Sequence, residues 1–411
     1  MNAQSQRQLD ARLRARFQRR LLNWYEKNKR DLPWRRTHDA YRIWVAEIML
    51  QQTTVATVIP YYERFLARFP TLRDLADAPR DDVLRWWAGL GYYARARNLH
   101  KAAQEVVKRY DGSIPQNPQE LGSLPGVGRY TAGAILSIAF NQEVPLLDGN
   151  VTRVLCRVFH VTGDPARSPA LRRLWSLAEE LIPKGKAREF NQAMMELGAL
   201  VCTPTPRCEV CPVGGLCEAK QLNKQTQLPA PTRKRTIKEV EDVAALIRWE
   251  GDASAKPSGW EGDAPAKPSG WEGDAPAKPS GSAGASPSRY LIVQRPLNGL
   301  WGGLWEFPRG TIQNSETPAA ALRRTLRELL GVKVKVGSLI ATFQQRVEHR
   351  RLTLRCFACA LTDGRPRALG CEDWKWATLE EILRQPLSTA QRRVVEALTR
   401  EAEQWRSKWP C

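Results

Sequence analysis

The spacing of apolar residues divides this chain into two textures. From about residue 10 to 220 they recur every three or four positions, and short breaks such as FPTL, DGSIPQNP and VTGDPARSP separate the runs. That period predicts helices joined by brief turns. After QLPAPTRKR (227–235), a proline-rich basic stretch that reads as a linker, the period changes. VAALIRW (243–249) and YLIVQRP (290–296) are strand-like, and RLTLRCFACAL (351–361) alternates as a strand does. TPAAALRRTLRELLG (317–331) reads as a helix closed by glycine. The expected architecture is multidomain: an all-α domain over 1–226, a linker over 227–236, an α+β domain over 237–395 and a tail over 396–411.

Between the first two strands of the second domain, an eleven-residue unit recurs as WEGDASAKPSG, WEGDAPAKPSG and WEGDAPAKPSG, starting at Trp249, Trp260 and Trp271. Small residues and prolines dominate it, so it has no hydrophobic face to stack as solenoid repeats do. Residues 250–288 are therefore expected to be a disordered insertion.

Composition narrows the partners. The 411 residues carry a net charge of +20 and a pI near 9.9, and the repeat insertion is acidic, so the remainder is more basic still. Such a field favours a polyanion, with nucleic acid first among the candidates. No apolar run approaches a transmembrane span, and the N-terminus lacks a secretory signal's apolar core. A soluble, cytoplasmic monomer without a membrane partner is expected, nucleoid-associated if bacterial. Four of the nine cysteines, Cys202, Cys208, Cys211 and Cys217, fall within sixteen residues. Their C-x5-C-x2-C-x5-C spacing suits a tetrahedral zinc site or an iron–sulfur cube better than disulfides.

Three stretches carry candidate chemistry. IWVAEIMLQQTT (43–54) places Glu47 inside a run that otherwise reads as core. Desolvation there raises a carboxyl pKa. It fits either a salt-bridged helix residue or an acid kept protonated for chemistry. LPGVGRYTAGAILSIAF (124–140) has Gly126 and Gly128 in a tight turn leading into a helix. Free N–H groups at such a helix start hold an anion, here a DNA phosphate gripped without regard to sequence. VPLLDGNVTRVLCRVF (144–159) sets Asp148 at a turn before a helix, as an N-cap that also stays ionised.

These blocks resemble the helix–hairpin–helix DNA glycosylase superfamily, and most closely its MutY-type adenine DNA glycosylases. The resemblance runs through WVAEIMLQQTTVATVIPYYERFLARFP, GLGYYARARNLHKAA, LPGVGRYTAGAI, LDGNVTRVL, FNQAMMELGALVC and the cysteine cluster to a Nudix-like second domain. It implies a base-excision enzyme that removes adenine paired with 8-oxoguanine, or with guanine, from duplex DNA. Glu47 would protonate the departing adenine and Asp148 would stabilise the sugar cation, with Tyr130 and Asn150 in support. Bifunctional relatives carry lysine at position 130, because a Schiff base needs an amine; tyrosine implies a monofunctional enzyme. Gln51, Gln52, Leu90 and Tyr92 match the elements that extrude the base and fill its gap. Trp34, Arg35 and Gln192 match the adenine pocket.

The resemblance also implies a [4Fe–4S] cluster on the four cysteines, with zinc as the alternative. The family usually has six residues in the first gap and this chain has five. In the second domain, GTIQNSETPAAALRRTLRELLGV follows the Nudix frame, but Thr325 and Leu329 replace two of the metal-binding glutamates. Hydrolysis of a pyrophosphate is therefore not expected, and the domain would read the base opposite adenine. The family's Phe-Ser-His loop is matched weakly within ATFQQRVEHRRLTL (341–354), with Glu348 and His349 as the candidate lesion contacts. The rival readings are a glycosylase for another mismatch or an oxidised pyrimidine, a lesion-binding protein with an inert site, and a Nudix hydrolase.

Overall fold

The computed structural model describes residues 9–231, 236–249, 288–313, 315–347 and 349–400. The repeats at 250–287 and the linker residues 232–235 lie outside them. The chain divides into two compact units, Met1–Arg235 and Thr236–Cys411.

The first unit is helical. Its opening helix, Ala11–Asn28, is capped by Asp10, whose carboxylate accepts from Arg12 N at 2.7 Å. Phe17, Leu21 and Tyr25, four residues apart, form its buried stripe. Two helices are apolar nearly all round and sit centrally: Ala40–Leu50 and Arg129–Phe140, the second buried from Thr131 to Ala139. Helices Gly149–Val158 and Ala187–Leu200 close the core through Val154, Leu155, Phe190, Met194 and Leu197. Leu228 belongs to this core and its carbonyl accepts from Arg157 Nε at 2.8 Å, so the stretch expected as linker is packed at its start.

The second unit is a seven-stranded sheet: β1 Lys238–Trp249, β2 Arg289–Gln294, β3 Trp305–Glu306, β4 Arg309–Thr311, β5 Lys333–Val347, β6 Arg350–Asp363 and β7 Asp373–Ala377. The order is β3-β2-β1-β6-β5, with β4 paired to β1 and β7 to β2. β1 runs parallel to β6, from Lys238 beside Arg350 to Ile247 beside Cys359. Alternation on β1 sends Val243, Ala245 and Ile247 against helix Pro318–Leu330, and Ala244 and Leu246 to the face of helix Thr389–Arg400. The first of those helices ends at Gly331, in the left-handed region at φ 70°. Cys356 and Cys359 fall on opposite faces of β6, so this CxxC is not a chelating pair.

One expected boundary is corrected here. The helix Thr389–Arg400 runs past residue 396, where a tail was expected, because Ala397 and Leu398 are buried. Within 341–354, β5 and β6 pair from Ala341 beside Cys356 to Val347 beside Arg350, and Glu348 lies outside the described residues.

Candidate active site

Helix Ala40–Leu50 starts at Asp39, whose side chain accepts from Arg42 N at 2.8 Å. It carries Glu47 into the core, where the residue is 4% exposed. The Tyr130 hydroxyl donates to Glu47 Oε2 at 2.6 Å. Glu47 Oε1 accepts no hydrogen bond among the described residues. Burial pushes the Glu47 carboxyl up to about 7, and nearby Asp148 adds to this. The Tyr130 bond and the Arg35 charge pull the other way and lose. Burial and the Glu47 carboxylate also hold the Tyr130 phenol well above its ordinary value, which keeps it a donor.

Asp148 caps helix Gly149–Val158, accepting from Val151 N at 2.6 Å and from Asn150 Nδ2 at 2.8 Å. Arg153 Nη2 donates to Asn150 Oδ1 at 2.8 Å and so orients that amide. The turn is less polar than its sequence implies. Burial raises the Asp148 pKa, while these N–H groups, the Asn150 amide and the Arg153 charge act to lower it. Helices 149–158 and 187–200 approach closely because position 198 is glycine; a Cβ there would lie 2.6 Å from Asn150 Cβ.

Both carboxylates line one cavity of about 540 Å3, a volume typical of small-molecule sites. Trp34, Arg35, Gln51, Gln52, Tyr130, Asn150 and Gln192 line it too. Trp34 stands edge-on to Tyr62, with ring centroids 5.4 Å apart. Gln192 Nε2 donates to Arg188 O at 3.3 Å within its own helix.

Two residues of this wall were not foreseen. Glu196, 1% exposed, is gripped by two arginines. Arg30 donates to its oxygens from Nε and Nη2 at 2.9 and 2.7 Å, and Arg35 from Nη1 and Nη2 at 3.0 and 2.9 Å. Burial acts to raise the Glu196 pKa, but these bonds prevail and hold it at about 2. The clue available in sequence was a glutamate one turn after Gln192, together with Arg30 and Arg35 on either side of Trp34.

At the mouth, Gln51 Nε2 donates to Thr131 Oγ1 at 3.4 Å, and Gln52 is exposed at φ 56°. Tyr92 is 37% exposed at φ 49°. Leu90, expected as a wedge beside it, is only 6% exposed; it packs inward, and the loop presents Tyr92 instead. The hairpin glycines also differ. Gly126 has φ 76° and a Cβ would lie 2.7 Å from Asn98 Cβ, so glycine is required. Gly128 has φ −86° as the cap residue of helix Arg129–Phe140, and nothing lies within 4 Å of an added Cβ. It leaves an open approach to the helix's free N–H groups rather than making the turn.

The four clustered cysteines form no disulfide and line one pocket together with Val154, Val158, Leu197 and Val213. Arg157 Nη1 donates to Cys202 Sγ at 3.4 Å. Burial pushes the Cys211 thiol up to about 11. Among the described residues, no group of three or more His, Cys, Asp or Glu side chains is arranged to hold a single metal ion. Four thiols between an apolar wall and the basic Arg157, Arg207 and Lys220 fit a sulfur-ligated cluster, whose positive irons would offset the cost of ionising the thiols.

In the second unit, Glu348 lies outside the described residues, and His349 is a half-buried residue whose carbonyl accepts from Lys238 N at 2.8 Å. Arg324 ties up both remaining Nudix-frame glutamates, at 2.9 Å to Glu316 and 3.1 Å to Glu328. Thr325 is buried against Gly310, where an added Cβ would sit 1.9 Å from its hydroxyl.

Comparison with known proteins agrees with this reading of the two units. Residues 45–180 match the HhH-GPD superfamily of base excision DNA repair proteins, and residues 285–397 match the NUDIX domain. Fold and site thus define a helix–hairpin–helix DNA glycosylase with a Nudix-like second domain. Adenine DNA glycosylase from Homo sapiens is 40% identical, over 92% of this chain and 73% of its own. The Schizosaccharomyces pombe adenine DNA glycosylase is 33% identical, over 89% and 86%. A thermostable thymine-DNA glycosylase structure, 33% identical, covers 51% of this chain and 98% of its own with a TM-score of 0.48. The chain belongs to the adenine DNA glycosylase family and is an enzyme of base excision repair. Among the described residues no helix is long and apolar enough to cross a membrane.

Proposed function

We propose that this enzyme is a monofunctional glycosylase that hydrolyses the N-glycosidic bond of adenine paired with 8-oxoguanine or guanine in duplex DNA. The observation that carries this reading is the pairing of Glu47, buried and pushed up to about 7, with a second carboxylate on the same cavity. Glycosidic bonds break through a sugar cation, so the leaving base needs a proton and the cation a negative charge. Glu47 supplies the proton from Oε1, because Tyr130 occupies Oε2. Asp148, held by Val151 N and Asn150, meets the cation as a carboxylate. Tyr130 stands where a lyase would need an amine, so no imine forms and the strand stays intact.

Base extrusion falls to Gln52 on the cavity wall and to the exposed Tyr92, and phosphate binding to the hairpin at Gly126 and Gly128. Trp34, Arg35 and Gln192 hold the adenine. Cys202, Cys208, Cys211 and Cys217 would hold a [4Fe–4S] cluster, which supplies cross-linking of this loop rather than chemistry at the base. The second unit keeps the Nudix fold with Thr325 and Leu329 in place of two metal-binding glutamates and with Glu316 and Glu328 bound by Arg324, consistent with a reader of the base opposite adenine, and His349 is the described candidate for that contact.

Labelled duplexes with adenine opposite 8-oxoguanine, opposite guanine and opposite thymine test the reading. Strand cleavage that appears only after alkali, strongest for the first duplex and absent for Glu47→Gln, is the expected result. Cleavage without alkali makes the enzyme a lyase; binding without product makes it an inert reader.

A further inference from the structure

We propose that Arg95 is a positioning residue that clamps the two base-extruding loops to each other and to the end of the helix carrying Glu47. Its Nη1 donates to Ile48 O and Met49 O, both at 2.9 Å, and to Gln51 O. Its Nη2 reaches Thr53 Oγ1 at 3.3 Å, Gly91 O at 3.2 Å and Leu90 O at 3.5 Å. Two segments about forty residues apart in sequence therefore meet on one guanidinium.

Three features separate this from an ordinary surface arginine. Among the described residues no carboxylate pairs with it; its partners are carbonyls and a hydroxyl. Its Nε is buried without a partner, and the guanidinium lies 5.1 Å from the Tyr92 ring centroid and 5.5 Å from that of Trp87. Burial without an acid lowers its pKa to about 10, so it is still charged at neutral pH. A cation is retained here at the cost of desolvation, and what it secures is geometry.

That geometry is needed locally. Ile48 and Met49 present carbonyls that the end of helix Ala40–Leu50 leaves unpaired, and the helix has no basic residue of its own in its last turn. Just beyond each clamped carbonyl, Gln52 and Tyr92 sit in the left-handed region that non-glycine residues avoid. Two loops held in such conformations keep their side chains aimed outward only if something over-determines the backbone. The planar five-donor fork of arginine suits several acceptors at once, whereas lysine offers a point charge.

The proposal rests on the reading of this cavity as the adenine-excision site. Its test compares Arg95→Lys and Arg95→Gln with wild type in single-turnover release of adenine from two duplexes. In one, adenine is opposite guanine; in the other it is opposite an abasic-site analogue, so that extrusion breaks no base pair. A clamp on the extruding loops predicts a fall of at least roughly tenfold on the paired substrate and a change within about threefold on the unpaired one. Fluorescence of 2-aminopurine placed beside the target adenine should show less extrusion by the variants. Equal falls on both duplexes, or no fall on either, overturn the clamp. Failure of wild type to release adenine from either duplex would overturn the site reading and the clamp with it. Should the Arg95 variants not fold, Gly91→Ala replaces them: Gly91 has φ 75° and nothing within 4 Å of an added Cβ, so the strain stays in the loop. It should show the same selective loss.

Discussion

Replacing Glu47 with glutamine removes the ionisable proton while keeping the shape and an acceptor for Tyr130. Its effect on stability tests the electrostatics without reference to activity. An ordinary glutamate ionises near 4.5, and burial in this helix pushes Glu47 up to about 7. The folded protein therefore holds the proton more tightly than the unfolded chain does. The stability conferred by that proton is fully present below about 4.5 and is lost as pH rises to about 7. At 1.36 kcal/mol per pH unit, the loss amounts to roughly 3 kcal/mol above pH 7, an order-of-magnitude figure. Glutamine does not titrate and does not suffer it. Thermal unfolding of the two proteins at matched pH should thus show a gap that is small near pH 5 and widens with pH. By pH 8 the glutamine variant should melt roughly 6–12 °C higher in the transition of the first unit. A gap that stays constant from pH 5 to 8, or a variant less stable than wild type at pH 8, would refute the claim that Glu47 is desolvated.

Two further perturbations act on the same cavity. In Tyr130→Phe the donor that lowers the Glu47 pKa is gone, so the alkaline limb of the excision rate should move to higher pH; an unmoved or lowered limb denies Tyr130 that influence. Glu196→Gln leaves Arg30 and Arg35 without their counter-charge and should cost roughly 3 kcal/mol in urea unfolding at pH 7. Because the Glu196 pKa is held at about 2, below its ordinary 4.5, that contribution is present above 4.5 and should vanish as pH falls toward 2.

The parts of the site that could be read in the chain are those where a residue breaks its local pattern. Glu47 interrupts an apolar run, and the helix is buried on every side, so the carboxyl is buried with it. Asp148 precedes a glycine and a periodic segment, and it does cap the helix. The parts that were missed conform to their pattern. Glu196 and Arg95 look like polar residues on amphipathic helices, and only tertiary contact gives them partners. Leu90 turns inward in a loop, where side-chain direction has no period to follow. The long strand β5 has a weak alternation, KVKVGSLIATFQQRV, because it is an edge strand broken by register shifts at Val336 and Leu339. The glycines of the hairpin look alike in sequence, yet Gly126 is required by its backbone angle and Gly128 is not.

The central claim is that one buried carboxyl delivers a proton to the departing adenine. The pH dependence of single-turnover adenine release by the wild-type enzyme tests it most directly. The rate should hold below about pH 7 and then fall by about tenfold for each further pH unit as Glu47 ionises. A rate that stays level to about pH 9 would mean that the proton comes from elsewhere.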